Sequence, residues 1–188
     1  STPLYSSAAS DVYKRQYHVL EVDSTDVSVR FKAAGKPADF QMRIMYDVMH
    51  HQQRKDAIRD SLHGATLDGF MSEDEVAAAS ILVNLFDGGP KSKVSYRVND
   101  GNYIPMERVL RTDPYIVEQF QRYESVKKSW VQATDSTHIF SADLDDSISR
   151  GTHTVTVRAI DEFGRVHHGH SILEITGGMR GTEAGVKY

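Results

Sequence analysis

The stretch Gly151-Thr152-His153-Thr154-Val155-Thr156-Val157-Arg158-Ala159-Ile160-Asp161-Glu162-Phe163-Gly164-Arg165 decides the fold. Thr152, Thr154, Thr156 and Arg158 share one parity, and His153, Val155, Val157 and Ala159 share the other. Side chains alternate across a strand, so this spacing predicts Val155, Val157 and Ala159 in a core and the threonines in water. Asp161 to Gly164 make a turn, and a second strand-like run starts at Arg165. Paired strands with one apolar face are the material of a β-sandwich and carry no chemistry of their own.

The pattern continues on both sides of this hairpin. Val166 to Ile175 and His138 to Leu144 read as strands, as do Val94, Tyr96 and Val98 with their polar alternates. Asn99-Asp100-Gly101-Asn102 supplies a hairpin turn of the Asp-Gly type, and Tyr103 to Val109 returns from it. Ile81, Val83 and Leu85 form one more strand, closed by Asp87-Gly88-Gly89-Pro90. Asp113-Pro114 opens a helix, since aspartate caps well and proline suits the first helical position. Ile116, Phe120 and Tyr123 form its stripe, with Glu118/Arg122 and Glu124/Lys128 as i,i+4 pairs. About six strands between residues 78 and 176 predict an immunoglobulin-like or fibronectin-like antiparallel β-sandwich with a helical insertion over 113–130.

Upstream, residues 17–45 predict three short antiparallel strands. The cleanest holds Val27, Val29, Phe31 and Ala33, and after the Gly35-Lys36-Pro37 break Phe40, Met42 and Ile44 resume with Gln41 and Arg43 outward. Residues 46–77 read as a helical and loop connection: a helix over Tyr46 to Leu62, then a helix start at Ser72-Glu73-Asp74-Glu75. Residues 1–16 are small, polar and aperiodic; they resemble translated adapter sequence joined to a reading frame, and are set aside from the fold. Residues 177–188 are Gly-rich and read as a frayed tail.

The chain has 188 residues, enough for one good core, and a net charge of −4, so there is no basic footprint for nucleic acid and no nucleic-acid partner is expected. No apolar run approaches the roughly 20 residues that span a bilayer. Cysteine is absent, which removes disulfides, thiolate metal sites and a cysteine nucleophile. Compartment is not legible in this composition.

Several segments together resemble the C-terminal domain of calcineurin-like metallophosphoesterases. They are Lys36-Pro37-Ala38-Asp39-Phe40-Gln41-Met42-Arg43-Ile44, Val83 to Val94 through Asp87-Gly88-Gly89-Pro90, Asp113-Pro114-Tyr115, Lys127-Lys128-Ser129-Trp130, Ser136-Thr137-His138 and the Gly151 hairpin. The resemblance spans residues 17 to 176. It implies a non-catalytic accessory module that follows a phosphoesterase domain of the same polypeptide, with the two divalent metal ions held in that other domain. The parent would be a bacterial, metal-dependent hydrolase.

The residues agree that the metal chemistry is elsewhere. A two-metal phosphoesterase needs Asp, His and Asn ligands holding cations roughly 3.5–4 Å apart. Its signature runs Asp-x-His, Gly-Asp-x-x-Asp, Gly-Asn-His-Asp/Glu and Gly-His-x-His. Asp-x-His and Gly-Asp occur nowhere, Gly101-Asn102 is followed by Tyr103, and Gly169-His170 by Ser171-Ile172. No catalytic, metal or cofactor residue is assigned.

Smaller constellations read as structure. His168 and His170 share a face of the last strand beside His167, a spacing that can ligate a metal; without a placed carboxylate it reads as a solvated face. His50 and His51 point apart and read as surface. Asp143 to Asp146 reads as an Asx turn, because Ile148 stands where a calcium loop needs glycine. Asp135, Ser136 and His138 are too close in sequence for a triad and read as a loop entering a strand. Trp130 reads first as a core anchor and second, with Tyr115 and Tyr123, as a platform for a sugar. The interface with the missing domain is expected at Tyr115, Phe120, Tyr123, Trp130, Thr137 and His138. The competing function is a carbohydrate- or partner-binding sandwich module, and a free-standing enzyme is the weaker third.

Overall fold

The computed structural model describes residues 16–47, 65–66, 69–126 and 128–177. The leader before Gln16, the body of the expected helix from residue 48 onward with His50 and His51, and the tail after Gly177 lie outside the described residues.

Strand β1 (Gln16–Asp23) pairs antiparallel with β2 (Asp26–Ala33), and Ser24-Thr25 make the turn. This hairpin forms a sheet of its own. One of its faces carries Phe31, Ala33, His18, Leu20, Val22, Val27 and Val29, because paired residues share a side. At the root Phe31 and Ala33 are buried against Phe86, with Phe40 beside them, and the Phe31 and Phe86 rings lie 4.9 Å apart. Toward the tip the same face is bare, and Val22 is 67% exposed.

The remaining strands are β3 (Met42–Asp47), β4 (Ala65–Thr66), β5 (Phe70–Ser72), β6 (Ser80–Leu85), β7 (Lys93–Val98), β8 (Ile104–Thr112), β9 (Asp135–Asp143), β10 (Gly151–Ile160) and β11 (Val166–Thr176). They hydrogen-bond in the order β4-β3-β6-β9-β8-β7-β10-β11-β5, one continuous sheet of nine strands among the described residues. Only β11 and β5 run parallel. The protein is therefore mainly β, built on a sheet that curls back on itself. Strand β8 makes the curl: it pairs with β7 through Met106 and with β9 from Glu107 onward, with a bulge between Val109 and Arg111.

The curl brings β11 over β3. Gly169 faces Met42 and Ile44, and a Cβ there would meet the Met42 sulfur at 2.6 Å, so only glycine lets the two strands approach. Gly69 turns into β5 at φ +69°, with its Cβ position 2.2 Å from the Ile172 carbonyl oxygen. Between the two halves lies the main core, which includes Ile81, Val83, Leu85, Tyr96, Phe140, Val155, Val157, Ala159, Leu173 and Ile175. Tyr96 keeps its phenol satisfied by donating to the Asp143 carbonyl at 2.6 Å. Burial, reinforced by the Asp145 and Asp143 charges, pushes its pKa up to about 12.

The Gly151 hairpin buries Val155, Val157 and Ala159 as its spacing predicts. Thr156, expected in water, is buried instead, with its hydroxyl 3.3 Å from His170 Nδ1. Large neighbours on the flanking strands cover the small threonine. Gln41 also departs from expectation: it is buried, and its amide donates to the Phe31 and Ala38 carbonyls, tying the hairpin root to β3. At the connection between β7 and β8 the left-handed residue is Asn99 (φ +50°) rather than Gly101. Asn99 donates its backbone N–H to Thr154 and accepts the Thr154 N–H on its side chain, which ties this turn to β10. Tyr46 and Asp47 belong to β3 and are buried, where a helix start was expected.

Ser72 does begin a helix, a single turn over Glu73–Val76 with Glu75 accepting from the Ser72 N–H and hydroxyl. The longer helix, Pro114–Arg122, starts at the expected Asp-Pro pair.

Candidate functional site

The helix Pro114–Arg122 covers the outer face of one half of the sheet. Even there β3, β6 and β9 are apolar: Met45, Leu82 and Ile139 are fully buried beneath Val109 and Tyr115. The helix is pinned at its start. Asp113 is buried, accepts the Tyr115 N–H on Oδ1 at 2.9 Å, and accepts from Asn84 Nδ2 on Oδ2 at 2.5 Å. Arg43 supplies the compensating charge 3.6 Å away. The same guanidinium lies 3.7 Å from the centroid of the Tyr115 ring and 5.7 Å from that of Phe86. Phe31, Phe86, Arg43 and Tyr115 thus form one chain of contacts from the hairpin root to the helix.

The six residues expected at an interface differ in exposure and in the partners they contact. Tyr115 and Phe120 are half-buried, and Tyr115 is engaged by Arg43. Tyr123 caps the helix C-terminus at 40% exposure, and Trp130 is 76% exposed with Lys128 Nζ 5.7 Å from its ring. Trp130 is therefore no core anchor: the chain leaves the sheet after the helix, and the indole lies on the outside. Val126 and Leu110 are also open to solvent. Thr137 is exposed and its carbonyl accepts from Arg108 Nε at 2.7 Å. His138 is half-buried and its Nδ1 lies 2.6 Å from the Gly88 carbonyl.

Gly88 belongs to the turn that rims a cleft not anticipated from the sequence. A cavity of about 280 Å³ lies between the β1–β2 hairpin and the β10–β11 turn, lined by His18, Phe86, Asp87, Glu162, Arg165 and His167 among others. Asp87, at φ +61°, places its carboxylate 2.8 Å from His18 Nε2. On the other wall Asp161 accepts from the Phe163 and Arg165 N–H groups, from Arg165 Nε at 2.6 Å and from His167 Nε2 at 3.1 Å. Burial alone would raise the Asp161 pKa, but hydrogen bonds from His167 and Arg165 outweigh it and hold the carboxyl below its ordinary range. Arg165 also donates to the Val29 carbonyl, clasping the hairpin to the sheet. Glu162 accepts the Lys91 N–H at 3.1 Å. The Asp161–His167 pairing follows from the register Ala159↔His167 across the turn. The His18–Asp87 pair joins residues 69 positions apart and has no local signal.

These groups hold the fold together rather than set up a reaction. Asp161 is saturated by four donors. Among the described residues no three His, Asp or Glu side chains gather to hold a metal ion. His168 and His170 stand on the outer face of β11, away from the cleft. The donor set does not fit a two-metal centre, and no catalytic step is derived through one.

Fold and site together define a mainly β domain in which, among the described residues, no group of three metal-ligating side chains gathers. A family model described as the C terminal of calcineurin-like phosphoesterase matches residues 6–167, most of the chain. The chain belongs to that family, and so to the C-terminal part of these proteins and not to their catalytic domain. No curated protein and no solved structure matches it significantly.

Proposed function

We propose that this chain is the accessory domain of a calcineurin-like metallophosphoesterase, packing on and supporting the metal-dependent domain of the same polypeptide. The curled sheet would serve as its immunoglobulin-like support, and the helix over 113–130 with the Ser136-Thr137-His138 loop as its contact surface. The observation that carries this reading is the exposure of Tyr123, Val126 and Trp130 beside a helix locked down by Asp113 and Arg43. Apolar side chains displayed by a rigid element mark an interface more often than a bare surface. Titrating the phosphoesterase domain against this chain by calorimetry tests it. Trp130→Ala and Tyr123→Ala should each weaken binding about tenfold or more, a loss typical of aromatic anchors at interfaces.

The bare Trp130 ring also favours a second reading, a carbohydrate-binding module whose platform is Trp130 with Tyr123. Retention on immobilised glycans that Trp130→Ala abolishes, with no affinity for the phosphoesterase domain, would favour it.

A further inference from the structure

The helix covers one outer half of the sheet; the other outer half, on β7, β10 and β11, has no element over it among the described residues. Strand register gives its composition. Arg97, Thr156 and His170 lie in one row across the three strands, and Ser95, Arg158 and His168 in the next. Lys93, Ile160 and Val166 form the row beyond. On a sheet these rows stand roughly 7 Å apart along the strands, with neighbours about 4.8 Å apart across them. Five basic side chains therefore face one way; the acids on that side are Glu107, two residues past Pro105 on β8 and beside the Lys93 end of the face, and Glu174 of β11, beyond Ile172.

These cations lack carboxylate partners: among the described residues Lys93, Arg97 and Arg158 have no ion pair, unlike Arg43, Arg111, Arg122, Arg150 and Arg165. Arg97 is fixed in place: its guanidinium lies 5.2 Å from the Tyr103 ring centroid, and its Nε is buried with no hydrogen-bond partner among the described residues. The chain as a whole carries −4, so this segregation is not an average property of its surface.

We propose that this outer face binds a linear phosphate polymer. Guanidinium and imidazole donors suit phosphate oxygens. The cations are spread along three neighbouring strands, so the face offers many weak charge contacts to an extended chain. It is a poor platform for nucleobases, because Tyr103 is the ring beside the cations and Arg97 already lies over it. The proposal does not depend on the accessory role.

Fluorescence anisotropy with labelled inorganic polyphosphate on the full chain tests it. Binding should weaken steeply with salt, and Arg97→Ala and Arg158→Ala should each lower the slope of log K against log salt by about one. Arg122→Ala, an equal charge loss on the helix, should change neither affinity nor slope. Each variant is checked for an unchanged unfolding midpoint; if Arg97→Ala fails to fold, the fully exposed pair Arg158→Ala and His168→Ala decides. Absence of binding, or binding that these variants leave intact, overturns the proposal. Tighter binding of an oligothymidine matched in phosphate number overturns the ligand class.

Discussion

The guanidinium of Arg43 lies 3.7 Å from the centroid of the Tyr115 ring, and its Nη1 is 3.6 Å from the carboxylate that caps the same helix at Asp113. One cation thus fixes both the start of the helix and its first aromatic residue. The start of the helix is consequently held against β3 and β6.

Asp113→Ala removes an N-cap and leaves the buried Asn84 amide without its acceptor. A cap is worth about 1 kcal/mol and an orphaned buried donor about 1–3 kcal/mol. Urea unfolding should show a loss of about 2–4 kcal/mol, and Asp113→Asn, which keeps a capping oxygen, should lose less. A midpoint for Asp113→Ala like that of a loop substitution such as Asp100→Ala would contradict the network.

Val157→Asp places an unpaired charge in the core and should cost several kcal/mol. Thr154→Asp, on the exposed side of the same strand, should cost under about 1 kcal/mol. Equal unfolding midpoints for the two would show the faces of β10 to be assigned wrongly.

Acid stability should depend on Asp161. Its carboxyl is held below the ordinary value in the folded state, so the unfolded chain takes up its proton first as pH falls. The stabilising contribution is complete above the unfolded value, about 3.9, and is lost as pH drops through the lower folded value. Asp161→Asn should therefore lower stability at pH 7 and flatten the acid limb between about pH 5 and 2. An unchanged limb would mean that the Arg165 and His167 bonds contribute nothing net.

The isolated chain should hydrolyse no aryl phosphate mono- or diester with added manganese, iron or zinc. Metal-dependent turnover that survives rigorous purification and disappears in the His168→Ala, His170→Ala double variant would place a catalytic centre on β11.

Local features of this fold were legible in the sequence because they rest on local rules. The Asp113-Pro114 helix start, the Ser72 helix start, the Asp161 turn and the alternation of Val155, Val157 and Ala159 all appear where nearest-neighbour chemistry puts them. Strand order was not legible, since it depends on pairings such as β3 with β6 and β6 with β9 between distant segments. Alternation marks which side chains share a face but not whether a neighbour covers that face. Gln41, just before β3, and Thr156 are polar and read as outward by alternation, yet hairpin and cross-strand contacts bury them. Trp130 shows the converse: a large apolar residue suggests a core, but it lies past the helix end with nothing of this domain to pack against. The cleft escaped for the same reason, because its walls meet through contacts between distant segments, such as Arg165 with Val29, Glu162 with Lys91 and His18 with Asp87.

On the proposed reading residues 113–138 face a phosphoesterase domain. Hydrogen exchange of this chain, alone and with that domain supplied in trans, checks it. Exchange should slow over Tyr115 to Tyr123, around Trp130 and through Ser136 to His138, with the outer face of β7, β10 and β11 unchanged. Protection confined to β10 and β11 or to the hairpin tip at Leu20 to Val27, with 113–138 unaffected, would contradict it.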